Sequence, residues 1–206
     1  MKLVVIDYGS GNLESVFNAF RILGQDVKVS SSPAEIRNAA KLVLPGVGSF
    51  QDSVSELNRR KLIKPITDYI RSGKLFFGMC LGLQLLFESS EEGPGRGLSV
   101  FKGKVRLFKR ADVGKIPHMG WNSVNLSGKK MPKVMKGIEN SSYFYFVHSY
   151  YADPVDVNDA TGITQYGKKR FCSMVARDNI VATQFHPEKS QVVGLKLVRN
   201  FTEMKG

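Results

Sequence analysis

Apolar positions in the first ninety residues alternate between two spacings. Residues 2–6, KLVVI, form a short β-branched run of the kind that fills a strand buried on both faces, and 7–11 reads as a turn. Beyond it Leu13, Val16, Phe17, Phe20 and Leu23 recur at helical spacing, with Asn12 placed to cap that helix and Gly24 to close it. The same reading predicts a strand at 26–29, a polar loop around Pro33 and a strand at Lys41–Leu44 that runs into Pro45-Gly46-Val47-Gly48. One amphipathic helix follows over 52–71, then a strand at 74–79 and a short helix bearing Leu81, Leu85 and Leu86. Strands and helices alternating at these lengths build a parallel sheet with helices on both faces.

The texture changes near residue 93. EEGPGRG reads as a loop, and short strands follow at 100–108, 121–126, 143–147, 160–166, 172–176 and 180–185. They suggest antiparallel additions to the central sheet, and a helix over 190–204 with Val193, Leu197 and Phe201 on one face ends the pattern. With no repeat and no long linker, the economical reading is α/β, a single three-layer domain over 1–206. Its central sheet is mostly parallel with helices on both faces, plus the antiparallel strands of the C-terminal half.

Composition narrows the class. A chain of 206 residues, 42% hydrophobic and 23% charged, is that of an ordinary globular domain. At this size roughly 70% of the unfolded chain's surface is buried, so no staples are needed. Two cysteines and three histidines exclude a disulfide framework and leave no zinc-ligand spacing, and the cysteine usage suits a cytoplasmic, reducing setting. The opening MKLVVIDYGSGN is neither signal peptide nor membrane span, and no later run reaches the ~20 apolar residues a bilayer requires. The net charge of +12 stands out. Nucleic acid, an anionic membrane surface, an acidic protein partner or simple solubility would each account for it.

Candidate chemistry lies where strands end. In Gly78-Met79-Cys80-Leu81-Gly82 a thiol sits on a strand-to-helix turn, flanked by residues small enough for the turn and for an approaching substrate. A buried inert cysteine is the plainer alternative. His186-Pro187-Glu188 follows a predicted strand; residues two apart in extended chain point the same way, and a carboxylate beside an imidazole fixes its tautomer. Taken alone the triplet reads more readily as a solvated turn at a strand end. Both elements fall after the C-terminal ends of strands, the edge at which open α/β sheets place their sites, which favours a Cys-His-Glu enzyme. Pro45 to Gly48 suits half of an oxyanion hole, with the Leu81 amide as the other half, although a Pro-Gly sequence taken alone is as readily a plain turn. Gly9-Ser10-Gly11 does not extend to a dinucleotide fingerprint, because Glu14 stands where the third glycine belongs, and no P-loop is present. His118 and His148 read as structural histidines and Cys172 as core.

These residues resemble the class I (triad-type) glutamine amidotransferases in the elbow GMCLGLQLL, the PGVG loop and the HPE triplet. IDYGSGN at the start, PHMGW at 117–121, YFVHSYY at 145–151 and HPEKS at 186–190 are similar to one subfamily, the glutaminase subunits of imidazole glycerol phosphate synthases. The ordered match runs from first strand to last helix, with conservative departures such as Leu83 where many members carry Met. The resemblance implies that Cys80 attacks glutamine to form a thioester, His186 acts as base and acid, and Glu188 orients it. It further implies that the Gly48 and Leu81 amides hold the oxyanion and that Gln84, Ser149 and Tyr150 grip the amino-acid end of the substrate. Ammonia would pass to a cyclase subunit built as a (β/α)8 barrel, which releases imidazole glycerol phosphate and an aminoimidazole carboxamide ribonucleotide in histidine biosynthesis. With no synthase in the 206 residues, the ammonia would have to be handed on. His118, Met119, Trp121 and Lys189 are the candidate docking residues, and the resemblance calls for no cofactor, metal, membrane or nucleic acid. A glutaminase serving pyridoxal phosphate or anthranilate synthesis, or a cysteine hydrolase on a similar sheet, would share the elbow. The basic residues are dispersed over 102–110, 129–136 and 168–170 with no nucleic-acid-reading motif, which disfavours a nucleic-acid binder.

Overall fold

Each buried run of the first half becomes a parallel strand. In a computed structural model that describes residues 2–9, 12–127 and 131–205, β1 (Leu3–Ile6) lies between β2 (Val27–Ser30) and β3 (Lys41–Leu44), and β4 (Phe76–Met79) and β14 (Ile180–Thr183) continue the parallel series. Register is set by the period-2 rule. Val4, Ile6, Leu42, Leu44, Phe76 and Ala182 face one core. Leu3, Val5, Val43, Phe77 and Val181 face the other. On the first face lie α2 (Pro33–Asn38), α3 (Phe50–Arg59) and α4 (Ile63–Arg71), with Ile36, Leu57 and Ile66 turned inward. On the second lie α1 (Leu13–Ile22) and α7 (Gln191–Glu203), where Phe201 packs on Phe77 with ring centroids 5.0 Å apart. Fully burying one such ring contributes about 1.5–3 kcal/mol.

Beyond β14 the sheet turns antiparallel through β13 (Lys169–Arg177), β11 (Tyr150–Pro154) and β7 (Gly103–Leu107). It ends in β5 (Ser89–Ser90) and β6 (Gly93–Arg96), while β12 (Gly162–Tyr166) pairs with β13 and with β9 (Asn125–Leu126). The architecture is thus α/β with a mostly parallel centre and antiparallel strands from the C-terminal half.

Several boundaries differ from the sequence reading. Pro33 opens α2 rather than lying in a loop, since at the first helical position its missing N–H has no partner to lose. The helix expected over 52–71 is two, broken at Lys61 (φ +56°), because Pro65 cannot donate to a carbonyl one turn back and is accommodated only in the first turn of α4. EEGPGRG contributes to the β5–β6 pair instead of a bare loop, with Gly95 N donating to Gln51 Oε1 at 2.6 Å. The strand expected over 121–126 begins at His118 as β8 (His118–Ser123). It pairs with β10 (Tyr143–His148) in a separate two-stranded ribbon, so not all antiparallel strands extend the central sheet. β11 had no counterpart in the sequence reading. Asn12 (φ +71°) makes no side-chain cap to α1.

Candidate active site

The five parallel strands deliver their C-terminal ends to one edge. β4 ends at Met79, and Cys80 follows with φ 52°, ψ −105°, a backbone region non-glycine residues rarely occupy. Its amide donates to Thr183 O at 2.7 Å, tying the elbow to the end of β14. The flanking glycines are sterically obligatory: a Cβ on Gly82 would stand 2.0 Å from Leu44 O, and one on Gly78 would stand 2.7 Å from Gly82 O. The short helix α5 (Leu81–Gln84) then leaves the elbow directly across β3.

His186 arrives from β14 and is held on both sides. Its amide donates to Tyr145 O at 2.9 Å, and its carbonyl accepts from the buried Ser190 hydroxyl at 2.6 Å. The imidazole Nδ1 lies 2.8 Å from Glu188 Oε1, with both side chains buried, and Asn12 Nδ2 donates to the same oxygen at 2.9 Å. Asn12 therefore steadies the carboxylate instead of capping α1. Because Glu188 accepts, Nδ1 carries the proton and Nε2 is turned to the reactive side, where it has no hydrogen-bond partner among the described residues. Burial pulls the His186 pKa down. The negative sulfur of Cys80 and the Glu188 carboxylate outweigh it and push the value up to about 10. The imidazolium is the form of His186 that these neighbours favour.

The thiol opens on a cavity of about 180 Å³ lined by Gly48, Leu81, Gln84, Glu92, Ser149 and Tyr150, with Cys80 at its floor. Five of the residues expected from the sequence therefore meet at one pocket: Gly48, Leu81, Gln84, Ser149 and Tyr150. The oxyanion pair is not assembled in this arrangement. Gly48 is exposed with φ +100°, while Leu81 N donates to Gly46 O at 3.3 Å. Both amide hydrogens of Gln84 are committed, to Tyr150 O and to Gln184 Oε1, each at 3.0 Å, so only its Oε1 can serve a ligand.

Sequence reasoning missed Glu92, Gln184 and the site role of Asn12. Glu92 Oε2 accepts from Phe50 N at 2.5 Å, which aims an acidic group at the pocket from a segment read as a loop. Gln184 stands between the strand and HPE, where its polarity inside a buried run was the available signal.

Of the expected docking residues, Met119, Trp121 and Lys189 are exposed. His118 is not: its side chain is 3% exposed, stacked on Tyr166 and Phe146, and so supports the ribbon from inside. It forms a buried pair with His148, Nδ1 to Nε2 at 2.9 Å, and burial lowers the two pKa values to about 4 and about 3. Both are satisfied structural histidines, and Cys172 is core, its thiol pushed up to about 12 by burial. Ser10 and Gly11 of the GSG segment, and Lys129 and Lys130 of the basic stretch, lie outside the described residues. No helix among the described residues is long and apolar enough to cross a membrane.

Comparison with known proteins places the chain in a family. A family model described as "Glutamine amidotransferase class-I" matches residues 4–204. The chain is 44% identical to "Imidazole glycerol phosphate synthase subunit HisH" of Syntrophotalea carbinolica, over 98% of this chain and 100% of that protein. It is 46% identical to the protein of that name in Rhodopirellula baltica, over 97% and 96% of the two chains. Among solved structures it is similar to a glutamine amidotransferase (TM-score 0.74, 17% identity, 97% of each chain). It is also similar to a glutamine amidotransferase from Thermotoga maritima (TM-score 0.64, 15% identity, 98% and 83% covered). By the extent of the family match and the identity to these relatives, the chain belongs to the class-I glutamine amidotransferases.

Proposed function

We propose that the chain, as one catalytic domain over 1–206, is the glutamine-hydrolysing subunit of an imidazole glycerol phosphate synthase. The observation that carries the reading is a buried His186–Glu188 pair beside a thiol on a strained elbow, at the floor of a pocket sized for a small amino acid. The near full-length similarity to subunits of that name supports the choice of acceptor. Cys80 Sγ attacks the side-chain amide carbon of L-glutamine, and the carbonyl oxygen takes the negative charge. On collapse the C–N bond breaks and the imidazolium of His186 gives its proton to the leaving nitrogen, releasing ammonia. Water, deprotonated by the now neutral His186, then cleaves the γ-glutamyl thioester to glutamate and restores the thiolate. Glu188 keeps Nδ1 protonated throughout, and Asn12 holds Glu188. At the far end of the substrate Gln84 Oε1 and Glu92, both acceptors, suit its α-ammonium, with the Ser149–Tyr150 backbone beside them.

Ammonia released in water at neutral pH would be protonated and lost as a nucleophile, so it passes directly to a cyclase partner, a (β/α)8 barrel in the reading drawn from the family. The exposed Met119 and Trp121 of β8, with Lys189 beside the triad, form the docking face. No resident cofactor is required, and a free thiol suits a cytoplasmic setting. The test measures ammonia release from glutamine with cyclase and its ribonucleotide present. Cys80→Ala is expected to lower turnover by at least about a thousandfold while still binding the cyclase. Retained turnover in that variant would refute the assignment.

A further inference from the structure

Gln184 is fully buried at the end of β14, and none of the steps above uses it. Its Nε2 lies 3.6 Å from Cys80 Sγ, and its Oε1 accepts from Gln84 Nε2 at 3.0 Å. The direction of this chain is fixed by a group that cannot be reversed. Tyr150 O is a backbone carbonyl and can only accept, so the Gln84 group facing it is the amide nitrogen. That nitrogen also faces Gln184, which must therefore present its oxygen. The Gln184 NH₂ is left for the sulfur. His148 Nδ1, 2.7 Å from Tyr150 O, fills the carbonyl's second acceptor position and holds the chain at its origin.

The sulfur needs such a donor. On another side lies Val147 O at 4.0 Å, an acceptor that suits an S–H group and opposes a thiolate. We propose that Gln184 is a positioning residue for the glutaminase reaction, donating an amide N–H to the Cys80 thiolate and holding the sulfur between His186 and the pocket, with its own orientation imposed by Tyr150 O through Gln84. The proposal rests on the reading of Cys80 as the nucleophile. Hydrogen bonds to a charged acceptor are stronger than those to its neutral form, so the contact favours thiolate over thiol. The other titratable groups about the sulfur are His186 with Glu188 behind it, His148 at the end of β10, and Glu92 across the pocket.

The experiment follows alkylation of Cys80 by iodoacetamide across pH in the full-length chain, with the modified peptide identified by mass so that buried Cys172 does not interfere. Steady-state glutamine hydrolysis is measured in parallel with the cyclase bound. Gln184→Met removes the donor at nearly the same volume and is expected to raise the alkylation midpoint by about one pH unit. Its kcat falls roughly tenfold with KM within about twofold, because the lost contact is to the reacting atom and not to the substrate. Gln184→Asn, which keeps a neutral amide but withdraws it from the sulfur by one methylene, is expected to raise the midpoint as the Met variant does and decides the matter if the Met variant does not fold. An unchanged midpoint in a folded variant, or a loss confined to KM, overturns the proposal. If the parent protein with its cyclase does not hydrolyse glutamine, the functional reading fails, while the alkylation midpoints still report on the contact between Gln184 and Cys80.

Discussion

Cys80 occupies a backbone conformation that costs about 1–3 kcal/mol and persists only where the surroundings over-determine it. Here they do, through the Thr183 carbonyl on its amide and two glycines whose replacement would drive a Cβ into backbone. The strain lifts the thiol clear of the strand and toward His186. The two structural histidines carry a different consequence. His118 and His148 have pKa values lowered to about 4 and about 3 by burial, below the usual 6.5 of an unfolded chain. Between those limits the unfolded state binds more protons than the folded one, so stability rises with pH across the window and falls on acidification. Each histidine contributes a slope of about 1.4 kcal/mol per pH unit. His186 does not share in this acid loss, since its raised value of about 10 makes its contribution present below 6.5 and lost only as pH climbs through 10. Urea midpoints taken from neutral to mildly acid pH should therefore fall more steeply in the parent than in His148→Leu. Equal slopes would show that the buried pair is not neutral in the folded protein.

At the scale of elements, the Pro45–Gly48 segment after β3 is the part of the proposed site that we infer controls its competence. Leu81 N, the amide that follows Cys80, donates to Gly46 O, and Gly48 lies exposed in the left-handed region. Turning this segment would free the Leu81 amide and aim a second one, a change open to it because no atoms crowd Gly48. One missing oxyanion donor costs about 10²–10³ in kcat. Glutamine hydrolysis by the isolated subunit should accordingly be weak and should rise by a factor of that order when cyclase and its ribonucleotide are both bound. Full activity in the lone subunit would mean that the segment is not a switch. Pro-Gly-Val-Gly, Cys80 between glycines and HPE each have a plain structural reading when taken singly; they could be read from sequence because all three follow buried strand runs and so fall on one edge of the sheet. Other features could not be read so. Residues 60–62 continue an amphipathic pattern across a break that only Pro65 explains, and β11 and the β8–β10 ribbon are defined by partners distant in the chain. Glu92 and Gln184 are common polar types whose meaning comes from contacts with Phe50 and Cys80, far away in sequence.

For the whole molecule the charge of +12 remains to be placed. Surface ion pairs engage many of the acidic groups, among them Lys28–Glu35, Arg59 and Arg60 with Glu56, Lys64–Asp68 and Arg106 with Glu91 and Asp153. Exposed pairs of this kind contribute about 0–1 kcal/mol each, so the basic excess has little to do with holding the fold. Its distribution is more informative. α6 (Arg110–Val113) brings Arg110 and Lys109 beside the β12–β13 turn, where Lys168 N donates to Asp112 O at 2.8 Å. Tyr166 Oη donates to Lys115 O at 2.9 Å, and its ring stacks on His118 under the ribbon that exposes Met119 and Trp121. A basic corner thus adjoins the apolar face proposed for docking, which is the arrangement that steers an acidic partner and then anchors it. The two parts should separate kinetically. Reversing Lys109, Arg110 and Lys168 to Glu is expected to slow association with the cyclase by roughly tenfold at low salt and to flatten its salt dependence, with dissociation little changed. Trp121→Ala should speed dissociation by at least about thirtyfold, corresponding to an anchor of about 2 kcal/mol, and leave the salt dependence of association intact. Stopped-flow mixing over a range of ionic strength distinguishes them, and an association rate indifferent to salt in the parent protein would reduce the +12 to a matter of solubility.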